Sequence, residues 1–186
     1  MVIYHYHFFI QEITLLGILF ENFKELQYAS FPKLQTLKFP YYCPKAEYMM
    51  KFLEINGKNL QELYINDSAL SWSIAKFCPN LKKLYAANDS IDGLKTIFNS
   101  CQYLESIKIQ WDGLCLGEKD LFDVVAEYSP KNFHELRLSY TSNGSDLLPE
   151  ELESFFISWA DRTPQKPFSL IIILNDFVTL DYINTE

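Results

Sequence analysis

The amino-acid sequence predicts an α/β fold built from stacked strand–loop–helix units, a solenoid with a parallel sheet on its concave side and helices on its convex side. Three observations predict it. A short apolar pattern recurs along the 186 residues, helical patterns separate its copies, and 48% hydrophobic residues are enough for a packed core. Each unit alone is too small to bury its apolar face, so we expect neighbouring units to stack.

The recurring pattern reads apolar-x-x-apolar-x-apolar, and its first copy is Leu34-Gln-Thr-Leu37-Lys-Phe39. Further copies begin at Leu60, Leu81, Leu104 and Phe133, at intervals of 26, 21, 23 and 29 residues. Leucine-rich repeats have this core and run about 20–29 residues. The sequence therefore predicts leucine-rich repeats over 31–174, with a looser strand at 168–174 and an earlier one near 13–19.

Helical patterns precede the strands at 46–55, 69–77, 91–100, 118–128 and 149–160. Within 118–128, the apolar residues Leu121, Val124, Val125 and Tyr128 fall on one helical face. Pro149 suits the first turn of the last helix. An ordinary doubly wound α/β domain is the alternative, but the sequence carries neither a GxGxxG motif nor a P-loop.

The two ends of the chain are less regular. Residues 1–30 form an apolar segment that we interpret as a degenerate repeat, and 175–186 as a cap or tail. The apolar start also fits a fragment of a longer repeat protein, or a dimer through that end. It lacks the basic region of a signal peptide, and Gln11 and Glu12 interrupt it. No stretch reaches the roughly 18 apolar residues of a membrane span, so we expect no membrane partner.

Charge is uneven along the chain, whose net charge is −8. Residues 1–100 hold 10 Lys against 9 Asp/Glu, and residues 101–186 hold 6 Lys/Arg against 15 Asp/Glu. A nucleic-acid partner is not expected, because it would require a basic face. The four cysteines form no CxxC pair, which favours a reducing compartment, cytoplasmic or nuclear.

Cys78 and Cys101 occupy equivalent positions of the pattern, where other copies have Phe31, Gly57 and Pro130. A position that accepts such different residues is a turn or packing site, so we predict no metal there and none elsewhere. His5, His7 and His134 form no recognisable ligand set. The sequence contains no catalytic motif, so we expect a protein that is not an enzyme and has no cofactor. Acceptor patterns at Asn66, Asn88 and Asn143 would matter only in a secreted protein.

Alternate residues of each predicted strand should point to the concave surface. One predicted column is Thr36, Glu62, Lys83, Ser106 and Glu135, and the other is Lys38, Tyr64, Tyr85, Lys108 and Arg137. Because Tyr and Arg dominate interface hot spots, these columns predict a surface that binds an acidic or aromatic segment of a partner protein. The alternative is a solvated sheet face with no dedicated partner.

The stretches "SFPKLQTLKF", "FCPNLKKLYA" and "SCQYLESIKI" resemble the cysteine-type leucine-rich repeats of F-box proteins, particularly those of divergent fungal families. The resemblance implies that the repeats hold a substrate protein, while a separate N-terminal F-box docks on a cullin-based ubiquitin ligase. No convincing F-box precedes the repeats in this sequence, and the similar opening at 147–159 is better interpreted as a repeat helix.

The resulting expectation is a substrate-recognition module of an F-box-type receptor, with a cullin-ligase adaptor as partner only if an F-box lies upstream. A freestanding or truncated repeat scaffold is the first alternative. A secreted ligand-binding repeat protein is the second.

Overall fold

The computed structural model describes residues 10–15, 23–40, 43–87, 90–111, 117–140, 148–162 and 166–173. The strands are β1 (Glu12–Thr14), β2 (Thr36–Lys38), β3 (Glu62–Ile65), β4 (Lys83–Ala87), β5 (Ser106–Trp111), β6 (Glu135–Tyr140) and β7 (Ser169–Ile173). The α-helices are α1 (Phe23–Leu26), α2 (Ala46–Asn56), α3 (Ser71–Phe77), α4 (Ile91–Ser100), α5 (Glu118–Tyr128) and α6 (Pro149–Ala160). Short 3₁₀ turns at Gly57–Asn59 and Ser68–Leu70 complete them.

The seven strands form one sheet in chain order, and every neighbouring pair is parallel. This confirms the predicted α/β class and the parallel sheet. The helices predicted before β3 to β7 are present, and α4, α5 and α6 have the predicted bounds. Two details differ from expectation: the early strand begins at Glu12, and the single-turn helix α1 lies inside the segment 1–30.

One face of the sheet is covered by the helices. The second residue of each strand from β2 to β6 is a leucine or isoleucine that points to this covered face and is at most 2% exposed. These residues are Leu37, Leu63, Leu84, Ile107 and Leu136. They pack in the same apolar cluster as Phe52 of α2, Ile74 of α3 and Val125 of α5. Burying each such side chain contributes about 2 kcal/mol, so this row is a substantial part of the core.

A pair of backbone bonds recurs where β2 to β6 begin. The carbonyl of Gln35 accepts hydrogen bonds from the N–H groups of Gln61 (2.8 Å) and Glu62 (3.0 Å). An equivalent pair of N–H groups, from the next unit, donates to each of the carbonyls of Gln11, Gln61, Lys82 and Glu105. Equivalent atoms therefore set the register between successive units.

A second backbone bond closes the turn before each of β2 to β6. The N–H of Leu81 donates to the carbonyl of Cys78 (3.3 Å), and that of Leu104 to the carbonyl of Cys101 (3.0 Å). The same bond joins Leu34 to Phe31, Leu60 to Gly57, and Phe133 to Pro130, each at 3.0 Å. The predicted equivalence of these five turn positions is confirmed.

Both turn cysteines are packing residues. Cys78 and Cys101 are fully buried, and the Cys101 thiol donates to the carbonyl of Cys78 at 3.4 Å. Burial raises the pKa of Cys101 to about 12 and that of Cys78 further still, so both thiols stay protonated at neutral pH. Within the described ranges, no group of three or more His, Cys, Asp and Glu could hold a metal ion.

Gly57 occupies the same turn position where two units approach closely. A Cβ added there would lie 2.7 Å from the backbone oxygen of Phe77 and 3.0 Å from the Sγ of Cys78. A larger residue at this position would force the two turns apart.

Polar side chains connect neighbouring units of the helix layer, one near α1 and α2 and one near α5 and α6. Asn56, which is 3% exposed, accepts from the N–H of Phe31 (2.7 Å) and donates to the carbonyl of Ala29 (2.9 Å). At the other end, Arg162 donates to the carbonyls of Val125 and Ser129. These side chains satisfy backbone carbonyls near the ends of the preceding helices.

Several expectations concern residues that lie outside the described ranges. They are the tail 175–186, His5, His7, Cys115 and the acceptor patterns at Asn88 and Asn143. Of the helices that are described, none has the length and apolar character needed to cross a membrane.

Candidate functional site

The sheet face opposite the helices, called the open face below, carries two rows of side chains. Pairing of the strands places Thr36, Glu62, Lys83, Ser106 and Glu135 in the first row. The second row contains Lys38, Tyr64, Tyr85, Lys108 and Arg137. The sequence predicted both rows in this order. Because neighbouring strands lie about 4.8 Å apart, each row spans roughly 20 Å.

In the second row, two lysines enclose two stacked tyrosines. The Nζ of Lys38 lies 5.3 Å from the ring centre of Tyr64, and that of Lys108 lies 5.0 Å from the ring centre of Tyr85. Between them, the two rings stack with centres 6.2 Å apart and planes inclined by 29°. Each cation–π contact contributes about 0.5–1 kcal/mol at an exposed site, and the stack restricts the positions of all four side chains.

Tyr85 corrects one expectation about this row. It was predicted to contact a partner, but its side chain is only 6% exposed. Its ring is enclosed by Tyr64 and Lys108, and its hydroxyl donates to the Oε1 of Gln110 at 3.3 Å. Tyr85 therefore orients its neighbours, and Tyr64 is the more accessible ring.

Carboxylates hold the cations of the open face in place. The Nζ of Lys83 lies 3.1 Å from the Oε1 of Glu62, and the side chain of Lys83 is 53% exposed against 28% for Glu62. Arg137 donates from Nε and an η-nitrogen to both oxygens of Glu135, at 3.0 and 3.2 Å, and is again the more exposed partner. In both pairs the acid lies deeper than the base, so the charge facing outward is positive.

These contacts also keep the groups ionised. The hydrogen bond and charge of Glu62 raise the pKa of Lys83, and those of Glu135 raise the pKa of Arg137. Burial acts to raise the pKa of Glu135, but hydrogen bonds from Arg137 and Ser106 outweigh it and hold that pKa below its usual range. Ser106 donates to the Oε1 of Glu135 at 2.6 Å. The surface can therefore offer fixed donors to an anionic group at neutral pH.

Sequence reasoning missed Glu12, which belongs to this site. Its Oε1 lies 2.9 Å from the Nζ of Lys38, so Glu12 fixes the first lysine of the second row. β1 has only three residues and no copy of the leucine pattern. The one available signal was the alternation Glu12-Ile13-Thr14 within an apolar segment.

Comparison with known proteins gives no further guide to the use of this face. No protein-family model matches the chain, and no curated protein matches it.

Proposed function

We propose that the chain is a leucine-rich-repeat solenoid that binds an extended acidic or aromatic segment of a partner protein on its open face. The observation that carries this proposal is the pair of outward cations, Lys83 and Arg137, each positioned by a deeper carboxylate beside the accessible ring of Tyr64. Groups fixed before binding lose little conformational entropy when a ligand arrives.

The repeat assignment is supported by the regularity of the units. The same turn bond closes five of them, and the same carbonyl receives two N–H groups at successive steps. Units of 21 to 29 residues between equivalent leucine-pattern positions suit this architecture. Parallel strands in unbroken chain order are the arrangement that stacked identical units produce.

The dimensions of the rows favour a polypeptide segment as the ligand. A row of roughly 20 Å matches about six residues of extended chain. Carboxylates of such a segment would meet Lys83 and Arg137, and an aromatic side chain would pack on Tyr64. Tyr and Arg are the residue types that contribute most to protein interfaces.

The resemblance to F-box repeats suggests the finer role of substrate recognition for a ubiquitin ligase. On this proposal the open face holds the substrate, and an F-box upstream of the repeats binds the cullin-ligase adaptor. Co-precipitation of the protein expressed from its native gene with the adaptor tests it. Adaptor binding supports the receptor role, and its absence favours a freestanding scaffold.

The open-face proposal is tested with the double substitution Lys83→Gln and Arg137→Gln. The matched control is Lys51→Gln with Lys119→Gln, because both lysines form exposed ion pairs on helices, with Glu54 and Asp123. Proteins that co-precipitate with the unmodified chain should be lost with the open-face variant and retained with the control. Equal retention by both variants, with unchanged circular dichroism, would contradict the proposal.

A further inference from the structure

A second surface lies at the edge of the sheet where the strands begin. Here turn residues from four successive units line a polar groove of about 430 Å³. The first unit contributes Pro32, Lys33 and Gln35, and the last contributes Tyr103. None of the groove residues belongs to the two rows of the open face, so the groove is a separate candidate site.

The groove is cationic within an acidic chain. Lys33 and Lys82 line it, no acidic residue does, and the net charge of the chain is −8. In the described part of the chain, neither lysine makes an ion pair. This differs from the open face, where Lys38, Lys83 and Arg137 are each held by a carboxylate. The groove lysines are therefore available to an anionic ligand.

Side-chain amides also line the groove, and the structure holds two of them in place. The Nδ2 of Asn59 donates to the carbonyl of Pro32 at 3.0 Å, and that of Asn80 donates to the carbonyl of Lys58 at 2.8 Å. The two bonds are equivalent, one unit apart. They leave the oxygen and second N–H of each amide without a partner among the described residues. Gln35 and Gln61 add two more amides to the lining.

The spacing of the two lysines suits a ligand in an extended conformation. Lys33 and Lys82 lie two units apart, which is about 10 Å across the strands. Lys33 precedes Leu34 and Lys82 follows Leu81, so Lys82 also lies two residues further along its turn. In a polyproline II helix, residues i and i+3 lie on the same side and about 9.3 Å apart. That helix has no internal hydrogen bonds, so its carbonyl and N–H groups remain free for the amides of the groove.

We propose that this groove binds an acidic peptide in the polyproline II conformation, with carboxylates at positions i and i+3 meeting Lys33 and Lys82. Asn59 and Asn80 bind the peptide backbone between them. Tyr103, which is 55% exposed one unit beyond Lys82, packs against a proline that follows the second carboxylate. The inference does not depend on the open face binding a partner.

The test is a titration of ¹⁵N-labelled protein with the peptide Pro-Glu-Pro-Pro-Glu-Pro-Pro, followed by NMR. Side-chain amide signals of Asn59, Asn80, Gln35 and Gln61 should shift in a saturable way. Lys33→Gln combined with Lys82→Gln should weaken binding about tenfold or more, since two charge-assisted contacts are lost. Lys24→Gln combined with Lys131→Gln, which removes two exposed lysines outside the groove, should leave binding unchanged.

Two control peptides make the result decisive. Pro-Gln-Pro-Pro-Gln-Pro-Pro removes the charges, and Pro-Glu-Pro-Glu-Pro-Pro-Pro keeps them at the wrong spacing; both should bind more weakly. Equal binding of all three peptides, or no saturable shift with the first, would overturn the proposal. Shifts confined to residues around Lys83 and Arg137 would also overturn it, while supporting the open face as a binding surface.

Discussion

The covered and open faces of the sheet are built by the same strands, yet they differ in almost every physical property. On β3, Leu63 is fully buried among apolar side chains, whereas its neighbours Glu62 and Tyr64 are part-exposed and contact charged or aromatic groups. A shift of one residue along a strand moves a side chain from one face to the other. Stability and surface chemistry are therefore encoded in alternate positions, and substitutions should separate them.

The largest expected effect is on the covered face. Leu63→Ala should lower the free energy of unfolding by about 3 kcal/mol, since it removes a fully buried side chain and leaves a cavity. Urea denaturation measures this loss. The neighbouring change Glu62→Ala, on the open face, should cost less than about 1 kcal/mol. If the two substitutions lower the free energy of unfolding equally, the assignment of stability to the covered face is wrong.

A smaller effect is expected where the turns of two units meet. Gly57→Ala should destabilise by about 1–3 kcal/mol, because its Cβ would lie 2.7 Å from the backbone oxygen of Phe77. Gly117→Ala is the comparison variant, since its Cβ would approach no closer than 3.4 Å to Asp120. Gly117 is the N-cap of α5, so alanine there should cost only about 0.5–1 kcal/mol. The melting temperatures of both variants test this. Equal melting temperatures would show that the spacing of the turns adjusts freely.

The smallest expected effect is on the open face. Glu135→Gln should cost less than about 1 kcal/mol at neutral pH, because its partner Arg137 is partly exposed to solvent. The pKa of Glu135 is lowered in the folded state, so the stabilisation by its carboxylate is complete above the unfolded-state pKa. It is lost as pH falls through the lower folded-state value.

The unfolding free energies of the unmodified protein and of the Glu135→Gln variant should therefore converge in acid. Measurements at pH 7 and at progressively lower pH test this. A difference that grows towards low pH would contradict this assignment of the pair.

The sequence predicted the units well because each depends on local patterns. Alternation along the strands placed Lys83 and Arg137 on the open face, and the turn position of Cys78 aligned the units. Burial of Tyr85 could not be predicted, because it depends on the side chains that neighbouring strands place beside it. The contact between Glu12 and Lys38 was missed for the same reason, since β1 had to be placed beside β2 before the pair was visible.

Each carbonyl that directly precedes β1 to β5 accepts two N–H groups of the next unit. This arrangement affects how such a chain can change length during evolution. Units of 21 and 29 residues make the same bonds from equivalent atoms. Residues gained or lost in the loop after a strand would leave these hydrogen bonds unchanged. One residue inserted between Leu81 and Lys83 would instead exchange the two faces along the rest of β4. Insertions and deletions should therefore accumulate in the loops after the strands and be excluded from the turns before them.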